Sequence, residues 1–462
     1  MEKPVSSVPS NAVAVRIHPM TTVQGTVRLP GSKSLTNRAL LIASLAQGTT
    51  VIRNPLDCDD SRYLVEALQK LGVDIHWNVA EGSITVVGSG GKYPVREAEF
   101  FLGNAGTSCR FLTAALAANG GKYVVDGDRR MKERPIGDLV KALGSLGADV
   151  SAATGCPPVT IGPRACVGGR VDVPGSTSSQ FISAILMAAP LAPMMVEVRV
   201  TGERVSRPYV DLTVDCMREF GAKVNVDEKR PDGQPVYQVF PGRGYKGREY
   251  VVEGDASAAS YFYAAAAVTG GTFRVEGVGK ESRQGDARCA DVLAAMGCRV
   301  KKERDAITVT GEFLKKTDWD CADMPDVVPT LAVVALFAHG RTRLRGVAHL
   351  RHKESDRIAS VAAELRKIGG QVKEVSDGLE IEGMGSFREA VIDSWGDHRI
   401  AMALAIAGLV VPGIVIRDPQ VVDKSFPGFF SVLRSLGVRV EFMRKESFRL
   451  KGDEAPPGAP AP

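Results

Sequence analysis

Residues able to grip anions are bunched in a few short runs of this 462-residue chain. Ser32-Lys33-Ser34 with Asn37 and Arg38 forms the first run; Asn104-Ala105-Gly106-Thr107 with Arg110 forms the second, followed by Lys132-Glu133-Arg134. Thr177-Ser178-Ser179-Gln180 and Ser206-Arg207-Pro208-Tyr209 come next. Asp323, Asp326, Lys353-Glu354-Ser355-Asp356-Arg357, Asp397-His398-Arg399 and Lys424 complete the set. Arginine offers phosphate or carboxylate a bidentate fork, and lysine a point charge. Glycines and small hydroxyl residues at a helix start add unpaired N–H groups and the positive end of the helix dipole. Taken singly, these residues have plainer uses. Ser34, Thr107, Ser178 and Asp326 would be N-caps, Lys132 and Arg366 solvated helix ends, and Asp397-His398-Arg399 a structural ion-pair cluster. Their recurrence at equivalent places, beside very apolar helices, favours anion binding.

Those places are set by an internal repeat. An amphipathic helix stopped by glycine and followed by a strand occurs six times, as LQKLGVDI, LGSLGADV, MREFGAKV, LAAMGCRV, LRKIGGQV and LRSLGVRV. The pivots Gly72, Gly147, Gly221, Gly297, Gly369 and Gly437 lie 68 to 76 residues apart, as expected of helix C-caps. Between them, a polar or glycine-rich loop opens a strongly apolar helix, as in GSKSLTNRALLIASLAQG, GNAGTSCRFLTAALAANG and GSTSSQFISAILMAAPLA. Each copy therefore predicts strand, buried helix, strand, exposed helix and strands. Three copies around a pseudo-threefold axis place buried helices at the centre and sheets outside, so six copies make two α/β domains of βαβαββ-type units. The boundary falls near Glu253-Gly254. The first domain is then 31–253, and the second 254–450 plus residues 1–30, whose strands are expected to pair with the last unit. The Pro/Ala-rich tail 451–462 reads as disordered. Parallel buried helices in two facing domains would aim their N-termini into one cationic interdomain cleft.

Composition narrows the rest. The net charge of +5 is small and dispersed, which argues against nucleic acid as partner. The longest uncharged apolar run, Ile400 to Ile416, is seventeen residues broken by Pro412-Gly413, too short to span a membrane. MEKPVSSVPSNAV shows no targeting signal, so a cytoplasmic protein is expected. Eight scattered cysteines without a C-x-x-C pair read as free thiols. GRGYKG at Gly242 to Gly247 precedes a strand rather than a helix, so it is not a dinucleotide loop. Six histidines without H-x-x-x-H spacing predict chemistry with no metal and no cofactor.

The segments LPGSKSLTNRALLIASLAQGTT, LGNAGTSCRFLTAA, RMKERPIGDL, EGDASAASYF, KESDRIA, DHRIAMA and DKSFPGFF resemble the 5-enolpyruvylshikimate-3-phosphate synthases, of the enolpyruvyl transferases, from about His18 to Val440. The resemblance implies two inside-out α/β domains with substrates between them. It implies transfer of the enolpyruvyl group of phosphoenolpyruvate to the 5-hydroxyl of shikimate 3-phosphate, releasing phosphate, on the route to chorismate and the aromatic amino acids. By matching positions, Lys33, Ser34, Arg38, Ser178, Ser179, Gln180, Ser206 and Lys353 hold shikimate 3-phosphate. Lys33, Asn104, Gly106, Arg134, Arg357, Arg399 and Lys424 hold phosphoenolpyruvate. Asp326 contacts shikimate 3-phosphate and is the base near the reacting hydroxyl, Glu354 handles protons at the methylene carbon, Lys33 is catalytic with them, and Tyr209, Asp397 and His398 support them. The implied protein is a monomer that closes on its first substrate.

Two departures stand out. Ser108-Cys109-Arg110-Phe111 replaces the family's usual Ala-Met-Arg-Pro, which predicts altered affinity for phosphoenolpyruvate and for the inhibitor glyphosate. His349-Leu350-Arg351-His352 replaces an Asn-Trp-Arg-Val run, and His349 is left outside the site. Two alternatives remain: a UDP-N-acetylglucosamine enolpyruvyl transferase, and a non-catalytic anion- or RNA-binding repeat scaffold.

Overall fold

The computed structural model describes residues 6–242 and 244–446; the tail 451–462 lies outside them. Among the described residues the helices are α1 (Lys33–Leu45), α2 (Asp59–Lys70), α3 (Gly106–Asn119), α4 (Gly137–Ser145), α5 (Ser179–Ala188) and α6 (Arg207–Glu219), then α7 (Ala256–Thr269), α8 (Cys289–Ala295), α9 (Val328–Leu336), α10 (Arg357–Ile368), α11 (His398–Ala407) and α12 (Phe429–Ser435). Odd-numbered helices are the apolar ones, and every residue of α9 and α11 is buried. Even-numbered helices keep a charged outer face and end at the pivot glycines. The six pivots have φ between 86° and 111°, the left-handed conformation that costs glycine least.

Six four-stranded sheets surround these helices among the described residues. In the second unit the order is Glu97–Phe101, Lys122–Asp126, Val159–Ile161 and Val150–Ser151. The first pair is parallel and the other two antiparallel. That pattern follows from connectivity: α3 carries the chain back between the first two strands, while a short turn joins the last two.

Units one, four and six each borrow a strand. Glu249–Val251 runs parallel to Thr49–Arg53 in the first unit, although it comes last in that half of the chain. Ala12–Ile17 lies between Ile414–Arg417 and Val440–Arg444, so the first N-terminal strand joins the last unit. The second N-terminal strand does not: Gly25–Arg28 runs parallel to Thr272–Glu276 in the fourth unit. The reason is topological. The strand preceding α7 belongs to the first unit, and Gly25–Arg28 occupies the edge thus left open. The two crossings touch at a Gly31–Gly254 bridge, with Ser32 N–H donating to Glu253 O at 2.7 Å and Asp255 N–H to Pro30 O at 3.0 Å.

Two hydrophobic cores result. One gathers residues from Leu35 to Val252; the other gathers Val8 to Leu29 with Ala256 to Val440. Helices α1, α3 and α5 fill the first, and α7, α9 and α11 the second. Fully buried residues such as Leu331, Val333 and Leu336 contribute about 2 kcal/mol each at this level of burial. No helix among the described residues is long and apolar enough to cross a membrane.

Candidate active site

Five of the six buried helices bring their N-terminal ends to one cleft between the two cores. From the first side come Lys33, Ser34 and Arg38 of α1, Gly106 and Thr107 of α3, and Ser179 and Gln180 of α5. Arg134 joins them, with Ser206 and Tyr209 from the start of α6. From the second side come Asp326 before α9, Lys353 and Glu354 before α10, Arg357 opening α10, and Arg399 of α11. The cavity left between these side chains is small, about 40 Å³.

The second wall is an ion-pair network. Arg357, 2% exposed, donates from Nε to Asp397 Oδ2 at 2.7 Å, from Nη1 to Asp326 Oδ1 at 2.9 Å and from Nη2 to Glu354 Oε2 at 2.8 Å. Arg399 Nη2 donates to the other Asp326 oxygen at 2.7 Å. Asp397 also caps α11, accepting from Arg399 N–H at 3.0 Å. Burial alone would raise the pKa of Asp326, but Arg399, Lys353 and Arg357 outweigh it and hold the carboxyl well below its ordinary value. Glu354 is likewise buried, yet Arg357, Arg134 and Lys424 hold it well below its ordinary value. Lys353 is shifted down, chiefly by burial and with help from Arg357, against the pull of Asp326.

The first wall relies on hydroxyls and backbone. Arg38 spends its guanidinium inside the protein, donating to Thr213 Oγ1 at 2.8 Å, Ser34 O at 2.9 Å and Tyr209 O at 3.0 Å. It lies 5.2 Å from the ring centroid of buried Phe111, and burial pushes its pKa down to about 10. Gln180 Nε2 donates to Thr107 Oγ1 at 3.2 Å. Gly106 leaves room for Arg134, since a Cβ there would stand 2.4 Å from Arg134 Nη2.

Both walls meet at Asp60. Lys33 Nζ lies 3.1 Å from Asp60 Oδ2, and Lys424 Nζ, from the opposite side, lies 2.7 Å from Asp60 Oδ1 and 2.7 Å from Asn104 O. Burial opposes the charge on both partners, yet Asp60 and Glu354 hold Lys33 above the usual lysine pKa, and Lys33 and Lys424 hold Asp60 below the carboxylate range. Asn104 Oδ1 accepts from Arg134 Nη1 at 2.7 Å.

The cleft thus assembles most of the residues singled out from sequence. Asn104, Ser178 and Lys424 are not among those lining it. Ser178 caps α5, accepting from Gln180 N–H at 3.3 Å, while Asn104 and Lys424 brace Arg134 and Asp60. His398 is fully buried, and neither ring nitrogen has a hydrogen-bond partner among the described residues. Sequence reasoning missed Asp60; it placed Thr107 in the second anion-gripping run without assigning it a ligand, and it left His349 outside the site. His349 Nε2 lies 3.4 Å from Ser206 Oγ across the interface, and burial pulls its pKa down to about 3, so the ring is neutral. Asp60 sits in the first turn of α2, where an acid is ordinary, and no local signal marks its two lysine partners.

The sequence profile described as EPSP synthase (3-phosphoshikimate 1-carboxyvinyltransferase) matches residues 17–433. A Thiobacillus denitrificans protein named 3-phosphoshikimate 1-carboxyvinyltransferase is 47% identical over 425 residues, 89% of this chain and 96% of its own. A chloroplastic protein of the same name from Arabidopsis thaliana is 44% identical over 450 residues, 93% of this chain and 86% of its own. The structure of EPSP synthase from Acinetobacter baumannii superposes with a TM-score of 0.77 at 30% identity, covering 93% of this chain and all of that one. The enolpyruvyl transferase NikO from Streptomyces tendae shares the fold at a TM-score of 0.76 and 19% identity. With a cleft of this composition, two cores of this architecture and these likenesses over nearly its whole length, the chain belongs to the EPSP synthase family.

Proposed function

We propose that the cleft holds shikimate 3-phosphate against the first wall and phosphoenolpyruvate between Lys33, Gly106, Arg134, Arg357 and Arg399, and transfers the enolpyruvyl group to the 5-hydroxyl. The domains doing so are 31–253 and 254–450 with 1–30, a division supported by the two separate cores. The observation that carries the reading is the convergence of helix N-termini and five basic side chains, Lys33, Arg134, Lys353, Arg357 and Arg399, on one enclosed space. Two polyanionic substrates need such a place.

The reaction follows from the two carboxylates. Glu354 delivers a proton to the methylene carbon of phosphoenolpyruvate, leaving the adjacent carbon electron-poor. Asp326 takes the proton of the 5-hydroxyl as its oxygen bonds to that carbon. Phosphate then leaves, and Glu354 takes back a proton from the new methyl group, restoring the double bond. Asp326 is ionised, as a base must be, whereas Glu354 must first take up a proton, so the substrates must change its state. Incoming phosphate and carboxylate groups compete for Arg134, Arg357 and Arg399. Each cation withdrawn raises the proton affinity of the acid it leaves.

The test is coupled phosphate release from phosphoenolpyruvate. Release that requires shikimate 3-phosphate and is not supported by UDP-N-acetylglucosamine is the expected result. Release with the nucleotide sugar alone, or none with either acceptor, overturns the reading.

A further inference from the structure

Outside the cleft proper, the turn Arg283-Gln284-Gly285-Asp286 of the second domain holds α6 of the first through Arg283, Gly285 and Asp286. Arg283 Nη1 donates to Asp215 Oδ2 of α6. Gly285 packs so closely that a Cβ would stand 2.1 Å from Asp323 O and 2.9 Å from Pro208 Cγ. Tyr209 Oη donates to Asp286 Oδ2 at 3.1 Å, and Ser257 Oγ of α7 donates to the same oxygen. Gln284 ties the turn to the interdomain crossing, donating to Gly254 O at 2.7 Å and accepting from Ala256 N–H at 3.2 Å.

Asp286 is a poor choice for stability. It is 2% exposed, and its Oδ1 has no hydrogen-bond partner among the described residues. An unmet carboxylate oxygen in the interior costs free energy that a neutral side chain would not incur. Its surroundings make the charge costlier still: burial first, then Asp326 and Asp255, with Arg399 opposing, bring its pKa up to about 7. Buried Cys289 and the Arg288–Asp323 pair flank the same turn. What Asp286 does uniquely is reach Tyr209, which lines the cleft.

We propose that Asp286 is a positioning residue: from the second domain it anchors the hydroxyl of Tyr209, fixing that side chain in the wall that receives shikimate 3-phosphate. The proposal rests on the functional reading above for its ligand, but not for the contact itself. Through this bond the two domains seat the tyrosine only when they are together, so the first substrate meets its finished wall on closure.

The experiment is a double-mutant cycle of Asp286→Asn and Tyr209→Phe in the full chain, read in two ways. With both substrates, each single variant is expected to raise KM for shikimate 3-phosphate about tenfold, as loss of a hydrogen bond to a charged group predicts, with kcat changed much less. The double variant is expected to be no worse than the worse single one. The penalty of Asp286→Asn is expected to grow as pH rises through about 7, where the wild-type carboxyl becomes the full acceptor. Without substrate, urea midpoints of the four proteins report the Tyr209–Asp286 coupling directly. That arm separates failure of the proposal from failure of the functional reading. Additive midpoints, unchanged KM, or KM effects that multiply in the double variant overturn the proposal. Coupled midpoints in a protein that does not turn over uphold the contact and sink the transferase reading instead. Should Asp286→Asn not fold, Tyr209→Phe alone decides, by raising KM for shikimate 3-phosphate or leaving it unchanged.

Discussion

Apart from Lys33, paired with Asp60, and Arg134, the first wall of the cleft presents hydroxyls, amides and helix N–H groups, whereas the second presents arginines already paired to Asp326, Glu354 and Asp397. Groups of the first kind are held by neutral hydrogen bonds and are ready before any ligand arrives. Groups of the second kind neutralise one another, so a ligand binds there by exchange, displacing a carboxylate from an arginine. The first wall therefore suits recognition, and the second suits chemistry in which a carboxylate must change its proton affinity on demand.

Substitutions that test this contrast should fall in a definite order of effect. Asp326→Asn and Glu354→Gln remove the exchangeable acids, and each is expected to lower kcat by about 10²–10⁴-fold while substrate binding, measured calorimetrically, is largely kept. Full activity in either variant would make the second wall a mere binding surface. RNA binding with a steep salt dependence, together with tolerance of both changes, would instead favour a non-catalytic scaffold.

Asp60→Asn leaves Lys33 and Lys424 without their shared carboxylate, and a loss of about 3–5 kcal/mol in urea denaturation at neutral pH is expected. The sign of the pH dependence follows from the lowered folded-state pKa of Asp60. Its contribution is complete above the ordinary carboxylate range and is lost as pH falls through the folded-state value. The gap between wild type and variant should therefore narrow in acid. A gap that widens there would contradict the pairing.

Gly106→Ala probes the first wall. The added Cβ would collide with the Arg134 guanidinium, so KM for phosphoenolpyruvate is expected to rise about tenfold, with KM for shikimate 3-phosphate little changed. The smallest effect is expected from Phe111→Pro. It deletes the ring beside Arg38, a buried contact worth about 2 kcal/mol, and should shift KM for phosphoenolpyruvate and the glyphosate inhibition constant a few-fold. Coinciding constants would show that the departure at Phe111 is silent.

Much of this was legible locally. The pivot glycines announced their left-handed caps, and the loops before α1, α3, α5, α9 and α11 carried cleft residues because the period placed them at equivalent helix starts. Other features left no local trace. Gly25–Arg28 has a strand's pattern, but nothing in it specifies the fourth unit rather than the sixth as partner. Asp60 and Asp286 sit in first turns where an acid is ordinary, and the departure at His349 was visible in sequence without its partner Ser206. The partners of the Lys424 ammonium, Asp60 and Asn104, lie more than three hundred residues away and left no mark near it.

The amino-acid sequence by itself determined the repeating unit, the division into buried and amphipathic helices, and which helix starts are polar, because periodicity, caps and composition act over one or two turns of chain. Only the tertiary structure decided which strand completes each sheet, which carboxylate neutralises which cation, and which polar helix starts look into the cleft. Those outcomes depend on Coulomb and hydrogen-bond partners up to hundreds of residues apart, and such partners are chosen by packing.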